Sequence, residues 1–241
     1  MCDNKNGNER VPRLTFESSH SDARIFTIED PSAIAFRIWP AGMSDSPLKL
    51  DIDSPSCAAR ALCRFFDRPS AAKEWAGRRV LELGSGCGMV GMLLAWWGAK
   101  VTLTDLPDVL DHLRKNIAAT FEREGQTRKD VSITAKALAW GGPVDSSFLS
   151  PPPDDIVIAD CIYHPALHPL LLRTLCALCP PGSETRIWFS ETLRWPRKQN
   201  RFFRRFLKAG FSLRLLSPAN EATIRSAVPG TGRSDDQNAF V

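Results

Sequence analysis

Val80-Leu81-Glu82-Leu83-Gly84-Ser85-Gly86-Cys87-Gly88 is the stretch that decides the fold. Residues 80–83 form a short, largely apolar run of strand length that stops at glycines. Residues 89–97 are apolar and long enough, with the loop before them, for a buried helix. Strand, glycine loop and helix in that order bring the loop to the carboxyl edge of a sheet, where open α/β folds bind ligands. Glycines there permit backbone angles closed to other residues, and without Cβ atoms they let a ligand approach the main chain. The helix that follows offers free N–H groups at its start.

Outward from this stretch the chain keeps a regular rhythm. Residues 101–104 are β-branched and read as a strand; 107–119 read as a helix, with Pro107 suited to its first turn. Strands follow at 131–138 and 156–159, a helix at 169–179 stopped by Pro180-Pro181-Gly182, a strand at 185–189, a helix at 200–209 and a strand at 211–216. Upstream, residues 14–16 and 24–28 alternate loosely and predict a hairpin, 33–39 another strand, 40–55 a loop, and 56–66 a helix capped by Ser54 or Ser56. Strands alternating with helices predict an α/β fold: a Rossmann-like, doubly wound, mostly parallel sheet covered on both faces. The organisation expected is a disordered terminus at 1–12 and a single domain at 13–241. That domain divides into an N-terminal β-hairpin arm (13–55), a core (56–216) and an irregular Gly/Pro/Ser-rich segment (217–241) in which only 222–227 suit a strand.

Composition narrows the class. The 241 residues are 43% hydrophobic with a formal net charge of +4, as suits a globular protein with a sizeable core. There is no run of 18 apolar residues for a membrane span, and residues 1–13 lack the apolar core of a secretory signal. Seven cysteines without framework spacing fit a reducing, intracellular setting; the expectation is cytoplasm, extending to the nucleus. Cys176 and Cys179 match CxxC, but they lie in an apolar helical run and no second pair completes a zinc site. They read as buried core thiols, with a redox pair as the alternative, and no metal is expected.

Two ligand chemistries use such a loop. Gly86 to Gly91 literally matches GxGxxG, the dinucleotide fingerprint, with Asp105 at the next strand's end to hold a ribose. The other match is ExGxGxG, built from Glu82, Gly84, Gly86 and Gly88, which resembles motif I of the class I methyltransferases. In that family the loop wraps the methionine half and ribose of S-adenosylmethionine. Charge separates the two: phosphates want a neutral or positive cradle, whereas S-adenosylmethionine carries an ammonium and a sulfonium, and Glu82 favours the latter. Asp105 would accept both ribose hydroxyls; its plainer role is the cap of the helix near Pro107, and the two are compatible.

Ala139-Trp140-Gly141 follows the third strand and Asp160-Cys161-Ile162-Tyr163 the fourth. Together with the loop they resemble the seven-strand protein methyltransferases of methyltransferase family 16, with its E-L-G-x-G-x-G, L-x-W-G and D-x-x-Y segments. Residues 159–163 look most like the branch that includes the valosin-containing-protein lysine methyltransferase. The resemblance covers roughly residues 38–216. It implies a seven-strand sheet, S-adenosylmethionine as cofactor and a protein lysine as acceptor. It also implies contacts: Trp39 flanking the cofactor, Gly84, Ser85 and Gly86 on its methionine and ribose parts, Asp105 on the ribose, Trp140 against the adenine, and Ala159 or Asp160 at the methionine end. The loop after Trp39 is longer than in the family, and the segment after the last strand is short and polar.

Methyl transfer from a sulfonium is an in-line displacement, so holding nucleophile, methyl and sulfur in line is the main task. A lysine nucleophile titrates near 10.4 when free and must lose its proton first; burial lowers that value. Asp160 would attract the ammonium and orient the neutral amine. Tyr163, the chain's only tyrosine, would bond the amine and form an aromatic wall that favours a methylated cation. The plainer alternatives are a turn-capping Asp160 and a half-buried packing Tyr163. His164 and His168 lie nearby as candidate bases or as ordinary loop histidines. No Asn/Asp-Pro-Pro-Tyr/Phe follows the fourth strand, which argues against a nucleic-acid base as acceptor.

Between Thr192 and Asn220 stand eight Lys/Arg and no acid: Arg194, Arg197, Lys198, Arg201, Arg204, Arg205, Lys208 and Arg214. The plain reading is a solvated helix face over Phe202, Phe203, Phe206 and Leu207; the sharper one is docking of an acidic surface on a protein substrate. Aromatics spaced for the core weaken the case for RNA. A monomer acting on a protein substrate is the expectation.

Overall fold

A computed structural model describes residues 58–121, 131–192 and 195–215, together with the backbone of three short strands. Two of these, β1 (Arg13–Leu14) and β2 (Ile28–Glu29), pair antiparallel as an N-terminal hairpin arm requires, over two residues each rather than over the expected 14–16 and 24–28. The strand at 33–39, the loop at 40–55 and the caps Ser54 and Ser56 lie outside the described residues.

Alternation along three short strands builds the core. In β3 (Arg79–Leu83), Val80 faces one side of the sheet while Leu81 and Leu83 face the other. In β4 (Lys100–Asp105), Val101 and Leu103 join Val80; in β6 (Asp155–Ala159), Val157 joins them and Ile156 and Ile158 join Leu81. Both faces are therefore apolar, as a parallel sheet covered by helices requires. The first is covered by α1 (Ala58–Phe66), α2 (Ala71–Trp75), α3 (Met89–Trp96) and α4 (Leu110–Phe121); the second by α5 (His168–Leu178) and α6 (Pro196–Lys208). Every residue of α3 from Met89 to Ala95 is buried, so it is a helix packed all round. In α6 the buried positions Gln199, Phe202 and Phe206 form one stripe, and burying a phenylalanine there contributes about 1.5–3 kcal/mol.

With β5 (Ser132–Ala137) and β7 (Arg186–Ser190), the sheet runs β5-β4-β3-β6-β7, all parallel. The order departs in opposite directions from β3, through β4 on one side and β6 on the other, which opens a crevice beyond their carboxyl ends. This is the doubly wound, Rossmann-like arrangement.

Several expectations are revised. Among the described residues the sheet has five strands rather than seven. The predicted strand at 211–216 shortens to β8 (Leu213–Leu215) and pairs antiparallel with β9 (Arg225–Ala227) as a separate ribbon. Phe211 leaves it to stack on Phe206, with ring centroids 4.3 Å apart. The helix expected from 200 begins at Pro196, where a missing N–H costs nothing in the first turn. The helix expected over 107–119 is a 3₁₀ turn at Pro107–Val109 that leads into α4. Short α2 was not expected at all.

Candidate functional site

The loop after β3 turns on three left-handed glycines, Gly84 (φ 62°), Gly86 (φ 54°) and Gly88 (φ 80°), a backbone that side-chain-bearing residues rarely adopt. Ser85 pins it. Its N–H donates to Thr104 O at 2.9 Å, and its Oγ donates to Glu82 O at 3.2 Å and accepts Thr104 N–H at 3.0 Å. The side chain of Ser85 is thus committed to joining β3 and β4 and is buried. Gly84 lies under a roof: a Cβ there would sit 2.8 Å from Cys161 Sγ and 2.9 Å from the Trp140 ring. Gly88 and Gly91 serve packing, since a Cβ on Gly88 would meet Leu103 at 2.8 Å and one on Gly91 would meet Glu82 at 2.5 Å. From outside, Asn116 Nδ2 of α4 donates to Cys87 O at 3.0 Å.

Glu82 does not face the crevice. Two residues from Val80, its side chain falls on the α3 side of the sheet, 3% exposed, where Oε2 accepts Gly91 N–H at 2.8 Å. Burial raises this carboxyl from 4.5 to about 8; the Gly91 bond opposes the rise and nearby Asp105 adds to it. Glu82 therefore anchors the first turn of α3, and below pH 8 it does so as a neutral acid. The charge-based preference drawn from the sequence does not carry over to this geometry.

Asp105 does reach the loop. Oδ2 accepts Gly86 N–H at 2.8 Å and Oδ1 accepts Leu106 N–H at 2.8 Å. Partial burial raises its pKa, the two amides pull it back down, and Asp108 raises it further. It is not the cap of the next helix: the capping position belongs to Leu106, which makes no side-chain cap. A carboxylate offers about four lone-pair sites. With two taken by amides, one on each oxygen remains for a vicinal diol.

Across the crevice, β6 ends at Ala159, and Asp160 turns the chain with φ 57°, in the left-handed region although it is no glycine. Asp160 N–H donates to Ser190 O at 2.8 Å, and its Oδ1 accepts Thr192 N–H at 3.3 Å. Glu191 accepts Cys161 N–H at 3.0 Å through Oε1 and Ile162 N–H at 3.1 Å through Oε2. His168 is a structural residue, buried at the start of α5 with Nε2 donating to Ile162 O at 3.1 Å; burial lowers its pKa. His164 Nδ1 accepts Ala166 N–H at 3.3 Å within its own turn. Tyr163 is 50% exposed, and burial of its inner part, followed by the influence of neighbouring Cys161, Asp105 and Asp160, pushes its phenol up. It stays protonated at neutral pH and can donate.

The structure thus gathers Gly84, Gly86, Asp105, Trp140, Ala159, Asp160 and Tyr163 at one edge of the sheet. Ser85, Glu82 and Gly88 build the loop from beneath, and Trp39 lies outside the described residues. Sequence reasoning missed Cys161 and Glu191. The Cys161 thiol is buried against Leu83 O at 3.4 Å and is pushed well up by burial, so it is a neutral packing group. Of the CxxC pair, Cys179 is buried but Cys176 is exposed, and both are free thiols. Among the described residues no cluster of His, Cys, Asp or Glu is poised to hold a metal, and no helix is long and apolar enough to cross a membrane.

Residues 24–209 match the model of methyltransferase family 16, described as lysine methyltransferase. The chain belongs to this family. Among curated relatives, EEF1A lysine methyltransferase 3 of Mus musculus is 35% identical over 158 residues, covering 66% of this chain and 63% of the relative. Its Xenopus tropicalis counterpart is 33% identical over 159 residues, 66% of each chain. Protein N-lysine methyltransferase METTL21A of Danio rerio is 34% identical over 144 residues, 59% of this chain and 61% of the relative. The chain spans a little under two thirds of the length of each of these relatives. Family membership agrees with the three-motif resemblance.

Proposed function

We propose that this chain is an S-adenosylmethionine-dependent protein-lysine methyltransferase acting on a non-histone protein. The observation that carries the reading is the Asp160 turn, held in the left-handed region at the end of β6, on the same carboxyl edge of the sheet as the Gly84–Gly88 loop and Asp105, in a member of the lysine methyltransferase family. The family favours this cofactor over a dinucleotide, which the embedded GxGxxG spacing alone left open.

The residues fit the cofactor. Asp105 keeps a free lone pair on each oxygen for the ribose diol, half-buried Trp140 beside Gly84 offers an aromatic face to the adenine, and Ala159 leaves space at the methionine end. When bound, the cofactor supplies an electrophilic methyl on a sulfonium. The chain itself positions the amine. The Asp160 carboxylate attracts the incoming ammonium, which releases its proton to solvent before transfer, and then accepts an amine N–H so that the lone pair points to the methyl. The Tyr163 phenol oxygen accepts a hydrogen bond from an amine N–H, which leaves the lone pair free, and its ring walls the entry. Nearby partly buried surface lowers the amine's pKa, which favours the neutral nucleophile.

The acceptor protein, on this proposal, is guided by α6. Its cations Arg197, Lys198, Arg201, Arg204, Arg205 and Lys208 are exposed on the side opposite the buried phenylalanines. Exposed Trp195 stands at the helix start under Lys198 Nζ, 4.6 Å from the ring centroid. Buried Gln199 ties that start to Thr192 O at 2.7 Å, and Thr192 in turn contacts Asp160. A basic face leading to the substrate turn suits an acidic protein surface. We place the enzyme in the cytoplasm and nucleus, working as a monomer. The names of the relatives, EEF1A lysine methyltransferase among them, support a protein lysine as acceptor.

The test is transfer of labelled methyl into extract from cells lacking the protein, followed by mapping of the labelled residue. The expected result is a labelled lysine on one protein. Asp160→Ala should lower transfer at least 100-fold while S-adenosylhomocysteine binds within about threefold of the parent, given ~10²–10⁴ for a positioned acid–base group. Transfer at the parent rate would remove Asp160 from the mechanism.

A further inference from the structure

Glu191 stands just past β7, 31 residues beyond Asp160, and each of its carboxylate oxygens accepts an amide of the turn that carries the substrate-facing side chains. Three consecutive amides of that turn are taken by two adjacent residues: Asp160 N–H by Ser190 O at 2.8 Å, Cys161 N–H by Glu191 Oε1 at 3.0 Å, and Ile162 N–H by Glu191 Oε2 at 3.1 Å. Successive amides around a left-handed residue form a concavity that attracts an anion, and here a side chain of the protein fills it. The carbonyl on the far side, Ile162 O, accepts from buried His168 at 3.1 Å. The turn is therefore gripped from both sides between Asp160 and Tyr163.

Asp160 adopts φ 57°, a left-handed conformation that costs a non-glycine residue free energy, although aspartate tolerates it better than most, and that its surroundings help to hold. Removing the acceptor for the next two amides leaves Asp160 held through Ser190 O and Thr192 N–H and so loosens that constraint. Asp160 would then relax toward ordinary backbone angles, and its carboxylate and Tyr163 would leave the crevice mouth together. Buried amides bonded to a carboxylate are also stronger than amide–carbonyl pairs, so a neutral replacement is a poor substitute. A glutamine in this place presents an NH₂ to one of the two N–H groups, donor against donor. An aspartate is one methylene too short to reach both.

Building on the lysine methyltransferase reading above, we propose that Glu191 is a positioning residue: its two-oxygen clamp on Cys161 and Ile162 fixes the geometry of Asp160 and Tyr163 and so sets the rate of methyl transfer, without touching cofactor or substrate. The experiment compares the full chain with Glu191→Gln and Glu191→Asp, each saturated with S-adenosylhomocysteine. Amide hydrogen exchange is followed by NMR on these complexes, and kcat and KM for the acceptor are measured separately, on protein free of S-adenosylhomocysteine, with labelled S-adenosylmethionine. Exchange at Cys161 and Ile162 should quicken at least tenfold in both variants while Gly86 and Gly91 stay at the parent rate. The kcat should fall at least tenfold, with KM and the Kd for S-adenosylhomocysteine within about twofold. In the Asp160→Ala background Glu191→Gln should lower kcat no further, because it acts through Asp160. Unchanged exchange at the two amides overturns the proposal, as do a parental kcat or losses that simply multiply in the double variant. Should the parent itself transfer no methyl, the function proposed above fails, and the exchange rates alone decide whether Glu191 holds the turn.

Discussion

The two edges of the central sheet handle buried carboxylates in opposite ways. At the amino edge Asp155 is 0% exposed and fully paired: Arg78 Nε donates to Oδ2 at 2.5 Å, while Arg186 Nε and Trp188 Nε1 donate to Oδ1 at 2.7 and 2.8 Å. Its neighbour Asp154 takes Arg79 through the backbone N–H at 2.7 Å and the guanidinium at 2.6 Å. Toward the carboxyl edge, among the described residues, Glu82 and Asp105 accept from backbone amides. One edge supplies its own cations and is closed. The other presents Asp105, which among the described residues accepts only backbone N–H groups and keeps acceptor capacity for a ligand's hydroxyls, while buried Glu82 anchors α3 from beneath. The same fold separates stability from function along the strand direction.

The comparison breaks most visibly at Asp155. Asp155→Ala strands two guanidinium groups and an indole N–H. Breaking a buried pair costs about 3–5 kcal/mol, and because both arginines are partly solvated the expected loss is nearer 2–3 kcal/mol in urea denaturation. Affinity for S-adenosylhomocysteine, measured where the variant is folded, should change less than about twofold. A fall as large as that produced by a substitution at Asp105 would mean the two edges are not independent.

A smaller effect sharpens the contrast through pH. Glu82 titrates at about 8 in the folded chain against an ordinary 4.5, so between those values the folded state holds a proton that the unfolded state has released. Raising the pH therefore favours unfolding. This one group should cost stability on the order of 1 kcal/mol per pH unit from about pH 5 to pH 8, and none below 4.5. Glu82→Gln keeps an acceptor for Gly91 N–H and should flatten that slope in denaturation series across the window. An unchanged slope would show that Glu82 is ionised in its pocket.

Much of this was readable from the amino acids. The runs at 80–83, 101–104 and 156–159 are apolar and β-rich because both faces of a parallel sheet are covered, and the glycines between strand and helix mark the ligand edge. Asp105 and Asp160 follow strand ends directly, so their place at the carboxyl edge comes with the strands. Glu82 shows where local pattern was underused: alternation puts it on the Val80 side, beneath α3, where the glycine-to-helix spacing leaves Gly91 as its partner. Glu191 had no local signal, since it meets Cys161 and Ile162 only because β6 and β7 are neighbours. The helix α2, five residues with Lys73 and Glu74 exposed, is too short to show a period. The start of α6 was marked by Pro196, a first-turn residue that the run of phenylalanines further on overshadowed.

The central claim is that the carboxyl edge binds S-adenosylmethionine through Asp105 and the Gly84–Gly88 loop. Its most direct test is calorimetric titration of S-adenosylhomocysteine into the parent chain and into Asp105→Ala. The account predicts saturable one-site binding to the parent and affinity at least tenfold weaker in the variant, about 1.4 kcal/mol or more. Absence of saturable heat with the parent, or equal affinity in the two proteins, would contradict it.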